Sequence, residues 1–220
     1  MEMSISVVKG HGSMSHNNRE FITPNVDLDR VKDNIIYKCE PLEQAYKNCF
    51  SQAIEEYNLK QKRADRRIDG ITGYMAQIRN SKNGEKLYYE TVIQIGNKFD
   101  CSVGSTKAEL AKKVLNEFMQ DFSERNPNLY VFNAVLHMDE ATPHLHIDYI
   151  PIAHGYQKGL QVRNSLDKAL KEQGIDGKAT KRENSTHNWQ EREKDSLERI
   201  MNKYGIERAE ETGINRKHMS

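Results

Sequence analysis

The stretch HMDEATPHLH at 137–146 joins two apolar runs, LYVFNAVLH at 129–137 and HLHIDYIPI at 144–152. Runs of this length that are rich in β-branched and aromatic residues are typical of strands, and the short polar stretch between them indicates a turn. The two runs therefore predict an antiparallel hairpin, and with it a fold built around a sheet.

Three histidines lie at the turn end of this hairpin. Alternate residues of a strand share a face, so His144 and His146 point the same way, and the hairpin brings His137 beside them. Three imidazoles that converge from neighbouring strands are typical of a metal site with open coordination positions. Polar rings on one sheet face are costly to bury unless something binds there, which favours a metal site over a polar cluster without metal.

Carboxylates accompany the histidines. Asp139 and Glu140 lie in the turn, where either could fix an imidazole tautomer or act as a base. For Asp139 the alternative is a turn residue that caps its own backbone. Asp148 shares the face of His144 and His146, where it supports an imidazole or is exposed.

The rest of the chain predicts an α+β fold. Polar residues dominate 10–36, which indicates irregular structure, whereas Thr106 and Glu109 form a capping box. Apolar residues at a spacing of two or of three to four predict two further strands and four helices. The strands are expected at 3–8 and 86–96, and the helices at about 41–67, 106–126, 164–173 and 186–204.

Composition excludes several protein classes. The chain has 220 residues, of which 36% are hydrophobic and 30% charged, and its longest apolar runs are far shorter than the ~18 residues of a membrane span. The N-terminus lacks the basic and apolar regions of a signal peptide. The three cysteines show no C-x-x-C spacing, so we expect a cytoplasmic protein. The length of the chain predicts one large domain or a domain with an appendage.

One segment is strongly basic. KQKRADRR at 60–67 contains five cationic residues and one aspartate. It is either a solvated helix end or a patch that contacts phosphates. The cationic residues are Lys60, Lys62, Arg63, Arg66 and Arg67.

The N-terminal region offers a candidate nucleophile. His16 and Arg19 belong to the compact cluster HNNR, and Asn25 and Asp27 follow in NVD. Arg19 could bind a phosphate with both arms of its guanidinium. His16 could attack phosphorus if a carboxylate oriented its ring.

These motifs, in this order, resemble the Mob/Pre plasmid mobilisation (plasmid recombination) proteins, the MobV-type relaxases of the histidine-hydrophobe-histidine (HUH) endonuclease superfamily. HMDEATPHLH corresponds to the family signature HxDExTPHxH, and the similarity runs from about residue 8 to the 150s, with looser similarity to 206. The resemblance implies an antiparallel sheet that carries the histidine site and is flanked by α-helices. It also implies a relaxase catalytic core over 1–155 and a helical extension over 156–220, packed on the core or following it.

The resemblance implies a metal-dependent, site-specific single-stranded DNA endonuclease and strand transferase. Such an enzyme nicks at an origin of transfer, at a hairpin or nick site, and stays attached to the DNA 5′ end. Other relaxosome or conjugative coupling proteins are possible partners. The implied roles are metal ligands for a divalent ion, Mn²⁺ or Mg²⁺ (His137, His144, His146), nucleophile (His16, with Tyr37 as runner-up), scissile-phosphate contact (Arg19), acidic partner (Glu140), and second motif (Asn25, Asp27).

Three alternatives remain. A rolling-circle replication initiator or transposase of the same superfamily is disfavoured, because HNNR precedes the histidines as in relaxases. A metal hydrolase that attacks with metal-bound water would make His16 a bystander. A DNA-binding module would use the histidines to hold a structural metal without any cleavage.

Overall fold

A central antiparallel sheet organises the computed structural model, which describes residues 1–178, 180 and 183–209. Five strands form this sheet in the spatial order β2-β4-β6-β5-β3, and β1 pairs with β7 in a separate parallel ribbon. The predicted hairpin is confirmed as β5 and β6. The strands are β1 (Glu2–Met3), β2 (Ile5–Lys9), β3 (Ile35–Cys39), β4 (Tyr89–Ile95), β5 (Leu129–His137), β6 (His144–Pro151) and β7 (Glu207–Arg208).

Seven α-helices and two short 3-10 helices, Leu28–Asp33 and Ala64–Arg66, are found in the described part of the chain. None of the helices described there combines the length and the apolar character that crossing a membrane requires. The α-helices are α1 (Met14–Asn17), α2 (Leu42–Leu59), α3 (Gly70–Arg79), α4 (Thr106–Gln120), α5 (Phe122–Arg125), α6 (Leu166–Glu172) and α7 (Ser185–Lys203).

Each face of the sheet has its own core. Leu145 of β6 packs with Phe118 of α4 and Trp189 of α7 in the first. Ile150 of β6 packs with Phe50 of α2 in the second, together with residues of α3. Residues at odd and even positions of β6 therefore meet different helices, as the two-residue repeat of a strand requires. Because Ile150 shares the face of His144 and His146, the histidines lie on the α2–α3 side of the sheet.

Strand register places the polar residues in one row. His137 lies opposite His144 across the hairpin, and Asp148 lies opposite Asn133 on one side and Glu90 on the other. A bulge between Val131 and Asn133 adds a residue to β5, so that Asn133 keeps its place in this row. The central position of β6 thus surrounds its polar side chains with neighbours from both adjacent strands.

Several element boundaries differ from the sequence prediction. The first long helix ends at Leu59 and not near residue 67, so the basic segment 60–67 lies in the connection between α2 and α3. The N-cap of α4 is Ser105, whose hydroxyl accepts from Ala108 N at 3.1 Å, and not Thr106. Either residue type can cap a helix, and the sequence does not distinguish two adjacent candidates.

The elements that were not predicted include α1, β3 and α3. The stretch predicted as irregular contains α1 and the start of β3, and α3 occupies Gly70–Arg79. β3 is a short edge strand, and α3 begins at Gly70 and contains Gly73, which lowers its intrinsic helix propensity. Contacts with the second core stabilise α3 through Ile71, Tyr74 and Met75.

The predicted extension over 156–220 contributes α6 and α7. Trp189 and Leu197 of α7 are buried in the same core as Leu145 of the hairpin. Residues 179, 181–182 and 210–220 of this extension lie outside the described residues. The division at residue 155 stays a prediction.

Candidate active site

The structure brings His137, His144 and His146 together. Their ring centroids lie 4.8–5.1 Å apart, and one nitrogen from each ring lies within 4.8 Å of the other two. The hairpin register accounts for this arrangement, because it sets His137 directly opposite His144. The three side chains that the sequence singled out therefore share one small volume.

Each imidazole uses one nitrogen in a hydrogen bond to an oxygen. Carbonyl and carboxylate oxygens only accept, so these ring nitrogens carry the hydrogen. The bonds run from His137 Nε2 to Asn17 O (2.8 Å), from His144 Nδ1 to Thr142 O (2.7 Å), and from His146 Nδ1 to Glu90 Oε1 (2.7 Å).

The remaining nitrogens carry lone pairs that face one another. His137 Nδ1 and His144 Nε2 lie 3.3 Å apart. His146 Nε2 is buried and has no hydrogen-bond partner within the part of the chain that the structure describes. Lone pairs so close repel, and a buried unpaired nitrogen is costly, unless a cation accepts all three. The donor set therefore fits a divalent metal ion.

The protonation states suit metal binding. Burial lowers the pKa of His137 to about 2, with further lowering by the charges that His146 and His144 would carry. Burial also lowers the pKa of His144 to about 4, again with a contribution from His146. Neutral imidazoles are the form that binds metals, so little proton competition remains near neutral pH.

Glu90 holds His146 in its tautomer. Burial raises the pKa of Glu90, but hydrogen bonds from His146, Gly12 N and Asn17 outweigh this and bring the pKa to about 2. Gly12 N and Asn17 Nδ2 each donate to its carboxylate at 2.7 Å. A Cβ atom at Gly10 would overlap this carboxylate, so only glycine leaves room for it.

Asp148 is buried and does not contact an imidazole. Its Oδ2 accepts from Asn133 Nδ2 at 2.9 Å and from Asn17 Nδ2 at 3.2 Å, and burial raises its pKa to about 6. The side-chain amide of Asn17 therefore links Asp148 and Glu90, and the backbone carbonyl of Asn17 accepts from His137. The prediction that Asp148 could be exposed is wrong. Asp148 is buried and hydrogen-bonds to Asn133 and Asn17, and Asn17 in turn contacts the ligand His137.

His16 lies against the ligand cluster. Its Nε2 atom is 3.3 Å from Glu140 Oε1, and its ring centroid is 5.9 Å from that of His137 and 6.3 Å from that of His146. Helix α1 carries both His16 and Asn17, so the same turn supports a ligand and presents the candidate nucleophile. The predicted orienting carboxylate is Glu140.

The Arg19 guanidinium is hydrogen-bonded within the protein, and its contact with the scissile phosphate stays a prediction. Its Nε and Nη2 atoms donate to Asp139 at 2.7 and 2.6 Å, Nη2 also donates to Glu140 at 2.8 Å, and Nη1 donates to His16 O at 2.9 Å. Asp139 is fully buried, and a hydrogen-bonded cation offsets the cost of burying its charge. Arg19 adopts a φ of 56°, an uncommon value for a residue with a side chain.

The second motif is divided between two roles. Asn25 Nδ2 donates to Glu140 Oε2 at 2.9 Å and so reaches the site. The Asp27 carboxylate instead accepts from Asp29 N at 3.0 Å and pairs with Arg30 at 3.4 Å. Asp27 contributes its backbone, whose N–H donates to Asp139 O at 2.7 Å.

The structure does not bring Tyr37 to the histidines. Its hydroxyl donates to Asn116 Oδ1 of α4 at 3.0 Å, and its ring packs against the first core. It therefore lies on the opposite face of the sheet. Burial raises its pKa to about 12, which further weakens it as a nucleophile.

The five cationic residues of the basic segment are exposed, and Gln61 is half-buried. Arg63 pairs with Asp65 at 2.6 Å, and the Arg67 guanidinium donates to Gln61 O. The segment joins α2 to α3, the helices that cover the histidine face. Its placement is compatible with DNA contact, which stays a prediction for Lys60, Lys62, Arg63, Arg66 and Arg67.

Three residues of the site were not assigned by sequence reasoning. Asn17 and Glu90 orient ligands, and Asn34 donates to Asp139 at 2.6 Å while accepting from Met138 N. Glu90 lay within the strand predicted over 86–96, and Asn17 lay inside HNNR. Neither signal identified the partner, which lies 56 or more residues away in each case.

Comparisons with known proteins identify the family of the chain. Residues 7–219 match the profile of the family Mob_Pre, described as plasmid recombination enzyme. Curated proteins contain no match. A crystal structure of a manganese-bound MobM relaxase domain with 22 nucleotides of plasmid oriT DNA is 18% identical, with a TM-score of 0.50 over 100% of this chain and 96% of that chain. A second, with 23 nucleotides, is 18% identical, with a TM-score of 0.48 over 100% and 94%. The family match covers nearly all of the chain, which therefore belongs to the plasmid recombination enzyme family.

Proposed function

We propose that the protein is a relaxase, a metal-dependent and site-specific single-stranded DNA endonuclease and strand transferase. One observation carries this proposal: three imidazole lone pairs converge beside a His16–Glu140 pair. A metal site without a nearby nucleophile would fit a hydrolase or a structural ion equally well. The position of His16, beside the metal ligands and 3.3 Å from Glu140, favours covalent strand transfer.

His137, His144 and His146 would hold the ion, and Mn²⁺ or Mg²⁺ are the expected metals. The similar MobM relaxase domain was crystallised with manganese. When bound, the ion supplies positive charge that stabilises the negative charge developing on a phosphate. Three neutral ligands leave its full double charge available to that phosphate.

The chain supplies the nucleophile and its proton acceptor. A nitrogen of His16 attacks phosphorus, a P–N bond forms, and the bond to the 3′ oxygen breaks. Glu140 lies within reach of the ring proton that His16 must give up. The leaving oxygen takes up a proton and becomes a free 3′ hydroxyl, while the DNA 5′ end remains joined to His16. Arg19 keeps Glu140 and the His16 backbone in place through its hydrogen bonds.

The substrate we propose is single-stranded DNA at an origin of transfer, near a hairpin or nick site. The oriT DNA bound by the MobM relaxase domain supports this choice. Residues 1–155 would form the catalytic core, with 156–220 as a helical extension that stabilises the sheet. We propose that the protein acts in the cytoplasm, with other relaxosome or conjugative coupling proteins as partners.

Cleavage assays test this function. The protein is incubated with a randomised pool of single-stranded oligonucleotides and Mn²⁺ or Mg²⁺, and the products are separated by denaturing electrophoresis. A relaxase yields protein covalently joined to DNA, and EDTA abolishes the product. Cleavage without an adduct would instead indicate attack by metal-bound water, and no cleavage with either metal would indicate a DNA-binding module.

A further inference from the structure

A cavity opens at the hairpin turn, next to the histidine cluster. It has a volume of about 370 Å³, within the range of roughly 300–1,000 Å³ typical of small-ligand sites. The buried Asp139 and half-buried Glu140 form its inner wall, and the more exposed Arg30, Lys98 and Asp27 line its mouth. We call it the Arg30–Lys98 cleft. Because Glu140 belongs to both, the cleft is continuous with the candidate active site.

The acidic residues of the inner wall are already satisfied. Asp139 accepts from Arg19 and from Asn34, and Glu140 accepts from Arg19 and Asn25. Arg19 therefore neutralises one of the two negative charges, and the Asn34 and Asn25 amides hydrogen-bond to the two carboxylates. The cationic groups at the mouth are more accessible, since Lys98 is exposed and Arg30 shares only a half-exposed pair with Asp27. The mouth of the cleft is thus suited to an anion.

An exposed aromatic ring lies beside Lys98. Phe99 is 81% exposed, and the Lys98 ammonium lies 5.1 Å from its ring centroid. A cation beside an exposed aromatic ring is the combination that binds the phosphates and bases of single strands. Leu28, on the other side of Arg30 in sequence, is also 67% exposed.

The segment that presents Phe99 is anchored to the protein. Asn97 N donates to Asp100 Oδ1 at 2.7 Å and Phe99 N donates to Asn97 Oδ1 at 2.9 Å, while the next residue, Cys101, is fully buried. Val103 N donates to Ala141 O at 3.1 Å, which joins this segment to the turn of the hairpin. Lys98 and Phe99 are therefore held in a defined place relative to Glu140.

Arg30 is held in place as well. Its Nη2 atom would lie 2.7 Å from a Cβ atom at Gly104, whose φ is +90°. A side chain at that position would displace the guanidinium. The backbone at Gly104 thus forms a flat support on which the Arg30 side chain rests at the edge of the cleft.

We infer that the Arg30–Lys98 cleft binds a nucleotide of single-stranded DNA next to the scissile phosphate, with Phe99 stacking on the base and Arg30 and Lys98 contacting the phosphates. The inference rests on the proposed function for the position of the scissile phosphate. It adds three binding residues that lie outside the histidine and HNNR motifs. Stacking is tolerant of base identity, so the cleft would add affinity and fix the strand's position more than its sequence.

Binding of fluorescein-labelled 20-nucleotide oligo(dT) tests the inference, with anisotropy as the readout. F99A and F99L should each weaken binding about tenfold, because a base–aromatic stack is lost. F99W should bind as wild type, because it keeps a flat ring. The exposure of Phe99 predicts unchanged thermal unfolding for all three variants, which circular dichroism checks.

The cationic residues have their own readout. K98A and R30A should each lower the slope of log affinity against log salt by about 1, because one phosphate contact is lost. K113A is the matched control, since Lys113 is an exposed lysine on α4, which packs on the other face of the sheet, and its slope should equal that of wild type.

Two results would overturn the inference: wild-type affinity in both F99A and F99L, or equal losses in F99W and F99A. If the salt slopes of K98A and R30A equal that of K113A, Lys98 and Arg30 do not contact phosphates. Adduct formation by the wild-type protein is measured in parallel. If the wild-type protein forms an adduct and the Phe99 variants bind as wild type, binding of DNA in the cleft is refuted and the relaxase function is supported. If the Phe99 variants bind more weakly and no adduct forms, binding in the cleft is supported and the relaxase function is refuted.

Discussion

Each histidine of the cluster depends on a second residue that fixes its ring. His146 relies on a buried carboxylate, whereas His137 and His144 rely on backbone carbonyls. A ligand whose second nitrogen is fixed presents its lone pair in one direction, so the ion need not order the ring when it binds. Glu90 is the only one of these three acceptors that a side-chain substitution can remove.

E90Q should lower the affinity for Mn²⁺ by about 10- to 100-fold, because the charged acceptor of the His146 N–H is lost. Isothermal titration of the DNA-free protein measures this. E43Q is the control, since Glu43 is an exposed residue of α2 that pairs with Lys47 on the surface. Equal affinities for E90Q and E43Q would show that Glu90 does not support a metal ligand.

Arg19 stabilises the fold as well as the site. R19A leaves the buried Asp139 without its cation, which should cost roughly 3–5 kcal/mol in the free energy of unfolding. Urea denaturation measures the loss. R63A removes the exposed pair with Asp65 and should cost no more than about 1 kcal/mol. Similar losses for both variants would argue against a special role for the Arg19–Asp139 pair.

At the scale of elements, the hairpin was the most predictable part of the structure. Its two strands alternate residues that face the first core with residues that face the histidine side, and the turn between them is short. The periodic patterns also predicted β4, α4, α6 and α7, whose buried faces repeat regularly. Apolar periodicity is informative wherever an element packs on one side only.

The helix α3 was missed although its buried residues Ile71, Tyr74, Met75 and Ile78 have helical spacing. α3 contains two glycines and is stabilised by its contact with α2. The end of α2 at Leu59 carries no proline or glycine, so nothing local distinguished it from the basic segment that follows. Glu90, Asn17 and Asn34 act through partners distant in sequence, and only the folded sheet shows which polar residues meet.

The basic segment makes a prediction of its own, because it lies on an exposed connection beside the histidine face. A variant with Lys62, Arg66 and Arg67 changed to Ala should lower the salt slope of single-stranded DNA binding by up to about 3. Anisotropy titrations across a salt series measure the slope. The corresponding change of Lys107, Lys112 and Lys113 on α4 is the control. Equal slopes for the two triple variants would mean that the segment is only solvated surface.

At the scale of the whole molecule, one face of the sheet forms the larger apolar core and the other face carries the histidines. Helices α4 and α7 bury one face in a continuous apolar core, while the other face holds the histidines beside the core formed with α2 and α3. The polar row on β6 therefore rests on a strand whose alternate residues are firmly packed. This separation predicts that stability and metal binding can be altered independently.

W189A tests that separation. Trp189 is 1% exposed and its Nε1 atom donates to Asn126 at 2.7 Å, so the loss should be about 3–5 kcal/mol in the free energy of unfolding. Mn²⁺ affinity of the folded fraction at low temperature should remain that of wild type. W189F, which keeps a ring, should cost less. A loss of metal affinity in W189F that matches the loss in W189A would contradict independent faces.

Peptide mapping of the protein–DNA adduct by mass spectrometry tests the central claim most directly. The wild-type protein, with Mn²⁺ and an oligonucleotide captured from the randomised pool, should carry a phosphoramidate on His16, and H16A should form no adduct while it still binds the oligonucleotide. Adduct on Tyr37, or adduct retained by H16A, would contradict the account.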